Sequence, residues 1–531
     1  MKSLFNYLKI DWMKRNIKLV FIISGTILLF PLLFFPLGND SIVFMNIARK
    51  LLAGHTLYVD AIDLKPPLIY FLYIPVYLIS SGSEFIVRII DFLYQMVILG
   101  SAFYVIKKST GDEKIAFINI ILYSLLYTSL GANFTFQSDT HINLVIIWMI
   151  HIVLNKSPKS GWNFLLGAMT GVMFFFKYNL AILIIPSAFL FWYFQPGQRM
   201  ASGLIITGLI QAAGMLVFIA SVSLVFLQQG VWEGFTDVFD YSLFYSSMPA
   251  LNTELFKYII KEGSAIIADN FSLLYLTFVV IAFARLFRND EGNAGKNRFM
   301  QTLAVFGVIL LVTVFIERKL HIYHFTRFLI IAAIFASFGA GEMYALIKAG
   351  FSRMNLPLKF IAVSAVAFLI VYSPLSRWVF NIRMPYFYMT NTTKYDNLFE
   401  RPGESANTRV QMKSAAEFIK SNARTEDTVI TISTGANLIN LLLGDYRTSA
   451  FEQSCFYLGT HKIHRWQDKF RSEMQNAKWL IIQNNDRHLW INGHNMPSCE
   501  ALAKDTVFGK LMKNFDTVYN TENFFVTKRI Y

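Results

Sequence analysis

The sequence predicts a polytopic α-helical membrane protein with a small extracytoplasmic α/β domain at its C-terminus. Three observations carry that. Of 531 residues, 55% are hydrophobic and only 15% charged, where a soluble chain carries about 25% charged residues. Eleven apolar runs approach or reach the ~20 residues that cross a bilayer as a helix. From about residue 405 the pattern changes to mixed polar and apolar segments.

The elements follow in order. The basic start, MKSLFNYLKIDWMKRNIK, precedes a first run at 19–37. That run is longer than a signal core and ends without a small-residue cleavage site, so it reads as an uncleaved helix. Further spans are expected at 85–106, 114–131, 140–154, 162–177, 179–194, 202–227, 270–287, 300–316, 325–346 and 358–374. The run 67–81 opens beside Pro66-Pro67 and is short, so it is read as a re-entrant or interfacial segment outside the count of about 11 transmembrane helices. With a cytoplasmic N-terminus, the inner segments collect Lys107, Lys108, Lys156, Lys159 and Arg298, as the positive-inside rule requires. The first loop, 38–84, the long loop 228–269 and the C-terminal region then lie outside.

The chain divides into a membrane domain at 1–375, a linker at 376–404 and an α/β domain at 405–531. In the last, SAAEFIKSNA reads as an amphipathic helix and 428–434 and 479–484 as strands. FDTVYN and NFFVTKRIY read as a final strand pair. There is no GxGxxG or Walker pattern, and STGAN is too short to make a phosphate loop. Net charge is +14. The inner loops account for it, and with no basic run interleaved with aromatics, nucleic acid is excluded as a partner. Cys455 and Cys499 lie in the outer region, where one disulfide and two free thiols are both open readings.

The ionisable residues gather at the outer boundary. Asp40, Arg49, Asp63 and Lys65 are in the first loop, and Asp139 and His141 open the fourth span. Lys177 ends GVMFFFKYN, and Glu317, Arg318, Lys319, His321, His324 and Arg327 surround the tenth span's start. The long loop adds Trp232, Glu233, Asp237, Asp240 and Tyr241. Each has a plainer reading. Lys177 can snorkel to headgroups, Arg318 and Lys319 can meet anionic lipid, Asp40 can cap a helix and Asp63 can serve a turn. Acids and bases from four separate segments at one membrane face nevertheless mark a site. Cations suit a phosphate leaving group, and a carboxylate suits general-base activation of a hydroxyl. That chemistry is sugar transfer from a lipid-phosphate donor. No cofactor is assigned. A divalent cation is the one candidate, although His321 and His324 have no recognised metal spacing.

Three stretches resemble the C-type (GT-C) membrane glycosyltransferases, in the family 39 branch of protein O-mannosyltransferases and aminoarabinose transferases. They are Asp40 with Ala48, Gly54, Tyr58, Asp63 and Lys65-Pro66-Pro67-Leu68; GVMFFFKYNLAILIIP; and HIYHFTRFL. The resemblance implies a GT-C fold over residues 1–375 and an inverting transferase at the periplasmic face of a bacterial inner membrane. It also implies a polyprenyl-phosphate-linked sugar donor and a lipid, glycan or protein acceptor. By it, Asp40 is the catalytic residue, as base or acceptor-positioning group, and Lys65 a phosphate contact. Asp63, Asp139, His141, Lys177, His324 and Arg327 complete the expected substrate site. The chain departs from the family in having Asn39 where some members pair two acids, Leu64 directly before the lysine, and Phe325 where Tyr is common. Two other readings stand beside this one. A transporter or lipid flippase predicts charges on broken helices near the midplane, and a non-catalytic scaffold predicts that Asp40→Asn is silent.

Overall fold

The computed structural model describes residues 17–157, 160–195, 200–251, 257, 261, 273–285, 294–317, 322–351, 355–371, 373–400, 408–487 and 492–530. Arg318, Lys319 and His321 lie outside the described residues. Helices dominate up to residue 400, and the described strands form one small sheet near the C-terminus.

Four described helical stretches are individually long and apolar enough to cross a membrane: Glu84–Thr110, Ala201–Gln228, Ala294–Ile316 and Tyr323–Gly350. A pair within 19–52, bent by 77°, makes a fifth if its two helices are counted as one broken span. The other expected spans correspond to shorter helices, such as Glu113–Ser129, Ser138–Asn155 and Ser160–Phe174. Segment 67–81 is the 13-residue helix Leu68–Ser80. The segment read as a linker carries three short helices, Pro374–Asn381, Met384–Thr390 and Thr392–Asn397.

The first apolar run does not continue straight to residue 37. Helix Ile17–Leu29 tightens into the 3-10 turn Phe30–Phe34, and the chain then bends by 77° into helix Asn39–Leu52. Pro31 and Pro36 cannot donate to a helical ladder, which favours the break. Arg88, fully buried on helix Glu84–Thr110, satisfies the carbonyls the break exposes. Its guanidinium donates to Phe35 O (3.1 Å), Pro36 O, Ala132 O (3.0 Å) and Thr135 Oγ1 (2.8 Å), and it pairs with Asp91 at 3.2 Å. Carbonyls left bare in an apolar layer would be costly. At Gly38 a Cβ would come within 2.8 Å of Asn133 Cα, so only glycine lets the new helix start against that loop. Elsewhere, Gly167 and Gly214 let helices Ser160–Phe174 and Ala201–Gln228 meet backbone to backbone.

The C-terminal sheet has strands β1 (Val429–Ile432), β2 (Trp479–Gln483), β3 (Phe515–Asn520) and β4 (Phe524–Arg529) in the order β1-β2-β4-β3. β1 and β2 are parallel and the other pairings antiparallel. β1 and β2 are buried throughout, as their largely apolar sequences require, whereas β3, at the edge, buries Phe515 and leaves most of its other residues exposed. Helix Arg409–Asn422 lays Met412, Ala415, Ala416 and Ile419 into the core. Cys455 and Cys499 are not joined in a disulfide, and Cys455 is buried.

This domain is docked onto the membrane domain. Ile62 N–H donates to Ala450 O at 2.8 Å and Lys469 pairs with Asp60 at 2.9 Å. On helix Trp232–Leu251, Tyr241 Oη donates to Cys455 O at 3.0 Å. Glu233 and Asp237 both pair with Arg465, and Asp240 meets His461 at 3.0 Å. The acids of the long loop therefore serve docking, while the same helix turns Phe239, Ser242 and Tyr245 toward a cavity.

Candidate active site

A cavity of about 530 Å³ opens where the first loop, the helix ends and the C-terminal domain meet. Asp40, Asp63, Lys65, Lys177 and His324 all line it, drawn from four separate stretches of sequence. Asp40 sits in the first turn of helix Asn39–Leu52, whose N-cap is Gly38, so its role is not that of a cap. At a helix N-terminus the peptide dipole favours its negative charge.

Lys65 reaches Asp40 at 3.1 Å, and the pair faces the cavity with 18% and 25% of the side chains exposed. The Lys-Pro-Pro step is fixed from three directions. Tyr58 Oη donates to Lys65 O (2.8 Å), Lys65 N–H donates to Tyr70 Oη (3.0 Å), and Tyr70 Oη donates to Asp63 Oδ2 (2.6 Å). Tyr58 is held with φ at 64°, a left-handed conformation costly for a bulky residue, and it is buried. Burial pushes the Asp63 carboxyl above the usual carboxylate range, against the hydrogen bond from Tyr70 and the charge of Lys65. Burial also disfavours charge on Lys65, but Asp40, Tyr323 and Asp63 more than offset it and hold the ammonium protonated well above the ordinary lysine value.

Lys65 and Lys177 lie over the same ring, that of Tyr323, at 4.8 and 5.5 Å from its centroid. Lys65 Nζ also donates to Tyr323 Oη at 3.2 Å. Lys177 does not snorkel; its side chain is 11% exposed and pairs with Glu317 (3.3 Å) and Asp139 (3.5 Å). Beneath it, fully buried Arg327 bridges Asp139 and Glu317, both at 2.6 Å, and donates to Thr313 Oγ1 at 2.9 Å. Glu317 also contacts His324 and accepts from Asn179 Nδ2 at 3.0 Å. Asp139 and Arg327 thus form a buried layer that orients Lys177 and Glu317, and they do not line the cavity themselves.

His141 is not brought to this site. Two residues past Asp139 on one helix it points about 200° around the axis. Its ring is enclosed by Tyr94 and Phe136, each at 4.9 Å, and by Phe176 at 6.0 Å. Conversely, Glu317, the hub of the buried network, was conspicuous in sequence yet absent from the expected substrate set. Tyr323 was missed although it lies in HIYHF. Gln453, from the C-terminal domain, also lines the cavity, and no local signal announces it. Among the described residues no three His, Cys, Asp or Glu side chains converge as a metal-ligand set.

The chain is similar to known proteins in one segment of sequence and in fold. A sequence model of the dolichyl-phosphate-mannose-protein mannosyltransferases matches residues 64–226. A search of curated protein sequences finds no match. The crystal structure of ArnT from Cupriavidus metallidurans in the apo state superimposes with a TM-score of 0.56 at 12% identity, covering 97% of this chain and 98% of that one. The apo oligosaccharyltransferase of Archaeoglobus fulgidus gives a TM-score of 0.48 at 10% identity, over 96% of this chain and 74% of that one. The matched segment contains the Lys-Pro-Pro step and Lys177, and the fold is shared with ArnT along nearly the whole chain. The chain thus shares the fold of ArnT, and about a third of it, residues 64–226, is similar in sequence to the dolichyl-phosphate-mannose-protein mannosyltransferases.

Proposed function

We propose that this protein is an inverting glycosyltransferase that moves a sugar from a polyprenyl-phosphate donor to a lipid, glycan or protein acceptor. The reaction takes place at the periplasmic face of a bacterial inner membrane. The observation that carries the reading is the Asp40–Lys65 pair, a carboxylate and an ammonium 3.1 Å apart at the wall of a cavity large enough for a sugar phosphate. Facing the cavity with part of each side chain exposed, the pair is open to exchange of partners with a phosphate that enters there. The donor phosphate takes Lys65 and Lys177, which share the face of Tyr323, and Asp40 is released from its lysine. Asp40 then accepts the proton of the acceptor hydroxyl as that oxygen attacks the anomeric carbon. The bond from that carbon to the phosphate oxygen breaks on the opposite side, and the cations, with His324, stabilise the departing phosphate. Asp139, Glu317 and Arg327 keep Lys177 aimed, and Asp63 holds the Lys-Pro-Pro step through Tyr70.

The test is transfer in membranes supplied with a panel of radiolabelled polyprenyl-phosphate sugars. Label should leave one carrier with the wild type, and the labelled product names the acceptor class. A well-inserted wild type that releases label from no member of a panel spanning hexoses, pentoses and amino sugars would overturn the reading.

A further inference from the structure

The helix that carries Asp40 is held at both ends by the C-terminal domain. Asn39 and Asp40 begin helix Asn39–Leu52, and Lys50 lies ten residues on, about 15 Å along the axis. Asn46 and Lys50 are four apart and continue, farther along the helix, the face that carries the cavity-lining Asn39 and Val43. That face meets Glu452, whose side chain is completely buried. Lys50 pairs with its carboxylate, and Asn46 Nδ2 (3.0 Å) and Asn440 Nδ2 (3.1 Å) both donate to it. Lys50 Nζ also donates to Ser449 O at 2.6 Å. At the near end Asn437 makes two hydrogen bonds: its carbonyl accepts from Asn46 Nδ2 at 3.1 Å, and its Nδ2 donates to Asn39 Oδ1 at 3.0 Å. The next residue after Glu452, Gln453, lines the cavity.

We propose that Glu452 is a positioning residue for transfer: its buried pairing with Lys50 and Asn46 locks the Asp40 helix in register and brings Asn437 and Gln453 to the site, so that the C-terminal domain is a structural part of the active site. The inference rests on the reading of Asp40 as the base. A desolvated ion pair with every oxygen engaged specifies one arrangement, since any slip leaves a charge buried without a partner. No such demand falls on a domain that merely tethers an acceptor. The lock also explains why two chain segments some 400 residues apart are joined by buried polar groups and not by apolar packing alone.

Native Cys455, three residues from Glu452 and buried under Tyr241, reports docking without reference to activity. In a Cys499→Ser background, maleimide labelling of Cys455 and sugar transfer are measured side by side for the wild type, Glu452→Gln and the apolar pair Lys50→Met/Glu452→Met. Glu452→Gln should label at least about tenfold faster and transfer about a hundredfold more slowly, through kcat with donor KM little changed. The apolar pair, which leaves no charge stranded, should regain protection and most of the transfer. Unchanged labelling and transfer in Glu452→Gln would overturn the lock. Faster labelling with full transfer would overturn its role in the site. A wild type that transfers nothing would remove the proposed function, and the labelling would still decide whether Glu452 holds the helix.

Discussion

Two lysine–carboxylate pairs stand on one 14-residue helix and behave as opposites. Asp40 at the helix start meets Lys65 across a cavity wall, with both side chains part-exposed. Lys50 near the helix end meets Glu452 with 7% and 0% exposure. The chemistry is the same and the solvation is not. A pair that faces a cavity with part of each side chain exposed can pass its members to a substrate that enters there. A pair closed off from water costs about 3–5 kcal/mol to break from one side, so its members fix geometry. Under the proposed function, one helix therefore presents a reactive end and an immobile end.

The comparison can be sharpened by substitution. The largest effect is expected at the reactive end, where Asp40→Asn should lower transfer by about a thousandfold, the general-base contribution, while folding and insertion are retained. Lys65→Met should act on binding: it removes one charge-assisted hydrogen bond to phosphate. Polyprenyl-phosphate affinity, measured by titration in detergent, should therefore weaken by about one to two orders of magnitude. Stability should respond instead to the buried layer. Arg327→Met leaves Asp139 and Glu317 without their shared guanidinium and should cost about 3–5 kcal/mol, seen as a lower melting temperature in detergent.

Smaller effects follow from Asp63 and from the surface. Burial raises the folded-state pKa of Asp63 above its unfolded value, so the folded form binds the proton more readily. Its contribution is fully present below the ordinary carboxylate value near 4 and is lost as pH rises through the folded value. Asp63→Asn should therefore flatten the dependence of melting temperature on pH above about pH 4. Lys504→Ala, which removes an exposed partner of Glu500, should change neither melting nor transfer.

How much of this was legible in the sequence differs between regions for physical reasons. β1 and β2 were readable as short, largely apolar runs rich in Ile, Val and Thr, and the final strand pair as aromatic and β-branched segments on either side of a polar turn. Asp40, Lys65, Lys177 and His324 were readable as boundary charges, and the structure gathers them. The break at 30–38 was hidden because apolar content dominated the reading, although Pro31, Pro36 and Gly38 were the available signal. His141 was misplaced because nearness to Asp139 in sequence outweighed helical phase. Glu317, Tyr323, Gln453 and Glu452 owe their places to long-range packing, and the partners that define them lie in distant segments.

The most direct test of the central claim is to measure donor binding and single-turnover transfer together for the wild type and Asp40→Asn, using whichever polyprenyl-phosphate sugar the wild type accepts. The account predicts that the variant binds the donor at least as tightly, because Lys65 has lost its competing carboxylate, and transfers almost nothing. Transfer at the wild-type rate, or loss of donor binding in step with loss of transfer, would contradict it.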